Sequence, residues 1–419
     1  MKDFLRIIYP GHDFVVDFNR EHLVEFLKNS FPREIKNLDR LFHELDVFFA
    51  QFDRFTASQF TSWMQCVAAL IRSLKVIRVA RLTTGQFLAR HIQDEKLRSI
   101  IANLWYFFGL APSRLSALYF LLGFRGYYFE KTAYIKGGVG KLFEAMVAKI
   151  REQGSEVRYN TTVTRIITQQ GKRVSAVLTD KGETFTAKTI ISNANATSTL
   201  TELLDDDTVK NGYRKKLSSL EKSTSAFQVY LGLKVSAKKL GMDHFMFSVN
   251  ETYDHDKNFS YYAQQDFEHC PFEMVDHSQL DASLAPEGKG TLSIIVFDTY
   301  ERWRSLGGEE YAKKKLVLAD ILIRRAERYL PGLSGSIEIK EIATPRTMER
   351  FTLSPQGTIY GFAQTVKQSG INRLSQETKV EGLFLTGAWT RPGAGVHACF
   401  LSGLDAADLA LEFLKSELH

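Results

Sequence analysis

The chain is short of the residues that define several protein classes. Of its 419 residues only three are cysteine, Cys66, Cys270 and Cys399, and no C-x-x-C pair occurs. That excludes a disulfide framework or a cysteine-rich zinc site, and it fits a reducing, cytoplasmic setting. Nine prolines and 28 glycines rule out collagen-like or proline-rich material. Long apolar runs are missing too. The most apolar window, "NLWYFFGLAPSRLSALYFLLGF" (103–124), carries Pro112 and Arg114 near its middle, whereas a spanning helix wants about 20 uninterrupted apolar residues. "MKDFLRIIYP" is too short and too charged for the apolar core of a signal peptide. No G-x-S-x-G, Walker loop or H-E-x-x-H occurs. His255, His269 and His277 lie in an acidic, aromatic stretch that reads as a polar surface loop, so no metal is expected. The formal charge of +6 permits contact with anionic lipid or phosphate without calling for a nucleic acid.

What remains is ordinary folded-protein material, 44% apolar and 24% charged, with enough length for two domains. Four blocks follow one another. Residues 1–133 are mostly helical in pattern, as in "NREHLVEFLKNSFPREIKNLDRLFHELDVFFAQF", with apolar spacings of three and four. Residues 134–198 begin with an amphipathic helix, "GKLFEAMVAKIREQG", closed by Gly154. Four short β-like runs come next, "EVRYN", "TVTRIIT", "RVSAVLTD" and "TFTAKTIISNA", with turns at Gln170-Gly171 and Lys181-Gly182. Residues 199–374 mix helices and strands. One helix, "EEYAKKKLVLADILIRRAERYL", turns Leu318, Leu322, Ala326 and Tyr329 inward, and Thr344-Pro345 reads as a helix cap. Residues 375–419 hold the most telling stretch.

That stretch is "GLFLTGAWTRPGAGVHACFLSGLDAADLAL" (382–411). "GLFLT" is short and apolar enough for a buried parallel strand. Gly387 has no Cβ to hold a ligand away from the backbone. After a second glycine turn, Val396, Phe400, Leu404, Ala407 and Leu411 mark one face of a helix. The free N–H groups at its start suit an anionic or electron-accepting group. A glycine turn needed only for helix–sheet packing would look the same.

Three segments together narrow the choice. "AYIKGGVGKLFEAMVAKIREQGSEVRYNTTVTRI", "ATPRTMERFTLSPQGTIYGF" and "GLFLTGAWTRPGAGVHACFLSG" resemble, in order and spacing, motifs of the phytoene desaturase, carotenoid isomerase and retinol saturase family of FAD-dependent oxidoreductases. The resemblance implies a mixed α/β fold with a discontinuous, two-dinucleotide-binding FAD domain (134–198 with 375–419) and an interleaved substrate domain (1–133 with 199–374). It implies FAD as cofactor and an apolar, polyene-like substrate. Val163 matches the valine whose backbone meets the adenine. Gly387, Ala388, Trp389 and Thr390 match the loop at the diphosphate, and Gly395 and Val396 the helix start beneath the flavin ring. Val163 also reads as an ordinary strand valine, His397 reads equally as packing, and no catalytic side chain declares itself.

One unit of that family is not found. A strand, a G-x-G-x-x-G turn and a helix should hold the pyrophosphate, and no G-x-G-x-x-G occurs here; "KGGVGK" (136–141) and "RPGAGV" (391–396) follow the wrong elements. The expectation is therefore a chain truncated at its amino end, with an incomplete FAD site. The alternatives are an FAD-free lipid- or prenyl-binding protein of the same fold, or an amine oxidase-like flavoenzyme. Lys210, Arg214, Lys215, Lys216, Lys222, Lys238 and Lys239 make the middle block basic. With the aromatic helices of 103–124 they suggest peripheral membrane contact; a solvated face and core helices explain them as well.

Overall fold

The computed structural model describes residues 4–56, 74–130 and 132–418, so Cys66 lies outside it. The described chain opens on a hairpin. Strands β1 (Leu5–Tyr9) and β2 (His12–Val16) pair antiparallel across Pro10-Gly11, with Gly11 at φ +73°. The hairpin is an addition to a block that is otherwise mostly helical, as expected: a Pro-Gly pair presets a tight turn between two short runs. Helices follow, α1 (Arg20–Ser30), α2 (Ile35–Thr56) and α3 (Ala117–Tyr128). The Asn19 side chain caps α1 by accepting from the His22 N–H at 3.0 Å. The apolar spacing of α2 buries Leu38, Leu41, Phe42, Leu45, Phe48 and Phe49. The 103–124 window is core as well, with Leu104, Trp105, Phe120 and Phe124 at most 2% exposed. Among the described residues no helix is long and apolar enough to cross a membrane.

Helix α4 (Gly140–Glu152) ends just before Gly154, which takes φ +79°. Strands β3 (Val163–Gln169), β4 (Arg173–Thr179) and β5 (Thr184–Thr186) form an antiparallel meander, turning at Gln170-Gly171 and at Gly182. "EVRYN" is not a strand. Residues 156–160 run without a ladder partner among the described residues, and Asn160 breaks them at φ +51°. A strand exists only by pairing, so its pattern was right for an element that has no neighbour here. "TFTAKTIISNA" divides into β5 and a separate strand β6 (Ile190–Ser192). Helix α5 (Asp207–Leu217) carries Arg214, Lys215 and Lys216 in its last turn, where the helix dipole favours cations.

The next block builds most of a seven-stranded mixed sheet: β7 (Ser225–Leu233), β8 (Met246–Val249), β9 (Phe272–Val275), β10 (Gly290–Asp298) and β11 (Ile337–Ala343), in the order β11-β7-β10-β9-β8-β1-β2. All neighbours are antiparallel except β1 and β8. Helix α6 (His255–Gln264) starts with a buried histidine rather than a surface loop, correcting the sequence expectation. His255 Nε2 lies 2.8 Å from the Ser99 carbonyl, and burial pulls its pKa down to about 4. No cluster of three metal-ligating side chains occurs among the described residues. Helix α7 (Gly308–Glu327) turns Leu318, Leu322 and Ala326 inward as expected. Tyr329 lies beyond its end, and Leu330 is the buried residue there. Helix α8 (Pro345–Thr352) begins with Pro345 behind a Thr344–Thr347 capping box.

Glu273 on β9 is the strangest member of this sheet. It is 2% exposed, accepts one hydrogen bond from Ser248 Oγ at 2.7 Å, and leaves its second oxygen without a partner. Burial lifts its pKa from 4.5 to about 8. The folded chain therefore keeps a proton that the unfolded chain has lost between those values, so stability falls as pH rises through that window. A shift of that size corresponds to roughly 5 kcal/mol. Denaturant titrations from pH 5 to pH 9 should show the fall, and Glu273→Gln should flatten it. Equal slopes in both proteins would refute this reading.

Strand β12 (Leu383–Leu385) and helix α9 (Val396–Ser416) end the chain. β12 is buried at all three positions and pairs parallel with β6. Among the described residues three buried clusters result, the smallest being Phe384 of β12 with Ala406 and Ala410 of α9. Of the other two, one joins the large sheet to α2, α3, α6 and α7; the smaller joins β3, β4, α5 and β12 around Trp389.

One side of the smaller part is apolar and uncovered. Helix α4 buries none of its side chains, and Phe143, Met146 and Ile150, spaced on one face, are 49%, 41% and 39% exposed. On α9 the buried stripe is Ser402, Ala406 and Ala410. The apolar face read from the sequence points out instead, with Val396, Leu404 and Leu411 more than half exposed. Phe143 and Phe400 bring α4 and α9 together, their rings 6.5 Å apart. Beside them β6 pairs only with β12 among the described residues, and Ile191 is 43% exposed. Parallel sheets normally carry helices on both faces, and a two-stranded pair is marginal alone.

Candidate functional site

The site grows from the end of β12. The Thr386 N–H continues the parallel ladder by donating to the Ser192 carbonyl at 2.9 Å. Gly387 then turns away at φ +88°, and a Cβ there would sit 2.2 Å from Asn193 Oδ1, so the position demands glycine. Ser402, fully buried on α9, ties the turn from below. It accepts from the Gly387 N–H at 3.1 Å and lies 2.8 Å from Thr390 Oγ1, which also donates to the Gly387 carbonyl at 3.0 Å. Gln376 Nε2 donates to the Arg391 carbonyl at 2.8 Å.

Trp389 anchors the turn by its side chain. It is 6% exposed and meets Phe362 edge to face at 4.8 Å, so only its backbone is available to a ligand. Beneath it runs Arg373, 4% exposed. Its guanidinium donates to the carbonyls of Thr390 (2.8 Å), Ala388 (2.5 Å), Phe362 (3.0 Å) and Tyr360 (3.4 Å).

The second turn is set from the other half of the molecule. Tyr119 on α3 donates its hydroxyl to the Ala394 carbonyl at 2.7 Å. Burial raises that phenol to about 12, so it stays a donor at neutral pH. A Cβ at Gly393 would come within 2.1 Å of Gln364 Nε2. Gly395 stands at φ +106° with open space where its Cβ would be, and α9 starts behind it with no side-chain cap. Its first N–H groups have no partners within the helix. His397 and Val396 are exposed; Cys399, one turn in, is kept protonated by burial.

The structure thus gathers Gly387, Ala388, Trp389, Thr390, Gly395 and Val396 into one continuous turn. Val163 stands elsewhere, half-buried at the head of β3, and shares the smaller buried cluster through Ile166 of the same strand. The sequence reading missed Arg373, Ser402, Tyr119 and Asn193. A separate cleft of about 650 Å³ is lined by Leu110, Leu217, Phe259 and Asp298 among others, and by no residue of the turn. Gly109 in its wall leaves room for the Tyr360 ring, which a Cβ would meet at 2.8 Å. Burial lifts Asp298 to about 6 against donation from Trp303 Nε1 at 2.6 Å.

The site is thus a bare glycine turn between a parallel strand and a helix N-terminus on a mixed α/β fold, with the Trp389 and Thr390 side chains buried. Residues 2–411 match the model of the flavin-containing amine oxidoreductases, and the chain belongs to that family. The expected flavoprotein fold class and FAD as cofactor are borne out by that membership. The chain is 33% identical over 285 residues to the chloroplast prolycopene isomerase of Daucus carota, covering 67% of this chain and 45% of that protein. It is 29% identical over 341 residues to a zeta-carotene-forming phytoene desaturase of Myxococcus xanthus, covering 79% and 62%. An oxidoreductase from Methanosarcina mazei shares its fold, with a TM-score of 0.54 at 16% identity over 85% of this chain and 75% of that one. The chain spans about half the length of the isomerase it matches.

Proposed function

We propose that this chain forms part of an FAD-dependent oxidoreductase that desaturates, saturates or isomerises a polyene-like apolar substrate. The supporting observation is the Gly387–Val396 turn, where glycine is demanded by geometry and the side chains are drawn inward, in a chain related to carotenoid isomerases and desaturases. Bound flavin supplies the hydride chemistry. The Trp389 backbone and the N-terminus of α9 would offer N–H groups to it, Val163 would offer its backbone on the adenine side, and Gly395 with Val396 would leave room for the ring. Residues 134–198 with 375–419 are assigned to the flavin half and the remainder to the substrate half, although the smaller buried cluster also draws Leu200, Leu204, Tyr213, Leu217, Phe362 and Leu374 from 199–374.

The cradle is read as incomplete. The uncovered face of α4, α9 and β6 wants a parallel strand and a helix, the parts a G-x-G-x-x-G unit brings. We assign that unit as its occupant. The 419-residue chain alone should hold FAD weakly, and the chain joined to such a unit should purify yellow. A colourless, folded joined protein would sink the flavin reading and leave the apolar-ligand carrier.

Membrane association is proposed on a narrower basis than the sequence suggested. The aromatic helices of 103–124 are buried, so the contact falls to Lys215, Lys216 and the rest of the basic run around α5. Each cation near anionic lipid is worth about 1 kcal/mol. The protein should float with anionic liposomes at low salt and release at high salt; no bound fraction at low salt ends the proposal.

A further inference from the structure

Arg373 carries a charge that no acid answers. Among the described residues no Asp or Glu pairs with it, and its donors go to four carbonyls on two segments, 360–362 and 388–390. Burial lowers its pKa to about 10, still far enough from neutrality to keep it charged. Burying an unpaired ion is expensive, and neutral carbonyls offset only part of that.

The geometry of the turn shows where the charge is felt. A trans peptide points its C=O and N–H in opposite directions. Drawing the Ala388 carbonyl onto the guanidinium therefore aims the Trp389 N–H outward, and that N–H meets no acceptor among the described residues. The Ala388 N–H has none either. Asn193, which a side chain at position 387 would strike, sits on the same side of the turn as the end of β6. The result is a concavity of main-chain donors backed by one fixed cation.

We propose that Arg373 is a positioning residue that shapes residues 387–391 into an anion-binding concavity, its charge matched to the diphosphate of a dinucleotide. The assignment rests on the flavin reading for the identity of the anion, and on the chain's own geometry for the rest. The fork matters as much as the charge, because a lysine ammonium cannot span two segments with planar donors.

Two measurements on the 419-residue chain separate these parts. Hydrogen exchange follows the Thr390 and Arg391 amides, which donate to the Gly387 and Leu374 carbonyls, and calorimetry follows inorganic pyrophosphate. In Arg373→Met the amides should exchange at least about tenfold faster and pyrophosphate should bind about tenfold more weakly. In Arg373→Lys the turn should loosen alike, while pyrophosphate affinity stays within about threefold of the native chain. Equal affinity losses in both variants would overturn the charge matching, since a purely structural role weakens both the same way. Unchanged exchange in folded variants would overturn the positioning. Pyrophosphate ignored by the native chain would remove the anion assignment. If the methionine variant does not fold, the lysine variant alone decides. Failure of the completed protein to take FAD, with the exchange result intact, would strike the flavin reading and spare the positioning.

Discussion

Gly387→Ala should destabilise the 419-residue chain by about 2–3 kcal/mol and abolish flavin retention in the protein joined to a G-x-G-x-x-G unit. Two separate faults combine. The backbone at φ +88° is one that L-residues occupy at about 1–2 kcal/mol. The new Cβ would also stand 2.2 Å from Asn193 Oδ1, forcing that amide out of place. The faults can be told apart, because only the second depends on Asn193. Adding Asn193→Ala should recover the steric part of the loss and leave the backbone part, a non-additive pair of neighbours. Chemical denaturation of the four proteins in the cycle checks this. If the alanine variant were as stable as the native chain, the turn would not be the constrained element described here, and its claim on the cofactor would weaken with it.

The same turn shows what was legible in the sequence. β12, the bend at Gly387 and the start of α9 could be read because each is punctuated locally, by an apolar run, a glycine and an apolar repeat. The Thr344-Pro345 cap was readable for the same reason. Arg373 was not, since its role depends on carbonyls from two segments that only the fold brings together. Ser402 left a faint trace: with Ala406 and Ala410 it forms a small-residue stripe at intervals of four, the face that lies closest to the strands. The amino-terminal hairpin was missed because the Pro10-Gly11 turn between two short runs went unread against the helical spacing that dominates the block. "EVRYN" failed in the opposite way. Its pattern was that of a strand, but pairing is not a local property, and the neighbour it needs is not among the described residues.

That unpaired segment leads to the prediction with the widest consequence. Phe143→Asp combined with Leu404→Asp should leave the 419-residue chain within about 0.5 kcal/mol of its original stability, because both side chains are half exposed or more. It should also make the chain less prone to self-association, since the substitutions break an apolar patch that spans α4 and α9. In the protein completed with a strand–turn–helix unit the same pair should prevent docking. Covering the exposed half of two such side chains is worth roughly 1.5–3 kcal/mol, and burying two carboxylates in their place adds a further cost, so flavin retention should drop at least about a hundredfold. Thermal melts and sedimentation test the first half; flavin absorbance of the purified, completed protein tests the second. The contrast between the two contexts carries the argument. Aspartates that unfolded the shorter chain would mean the face is already used within it, and aspartates harmless in both would mean that nothing docks there. Only neutrality in one and loss in the other fits a flavin cradle whose second wall rests on α4, α9 and the free edge of β6.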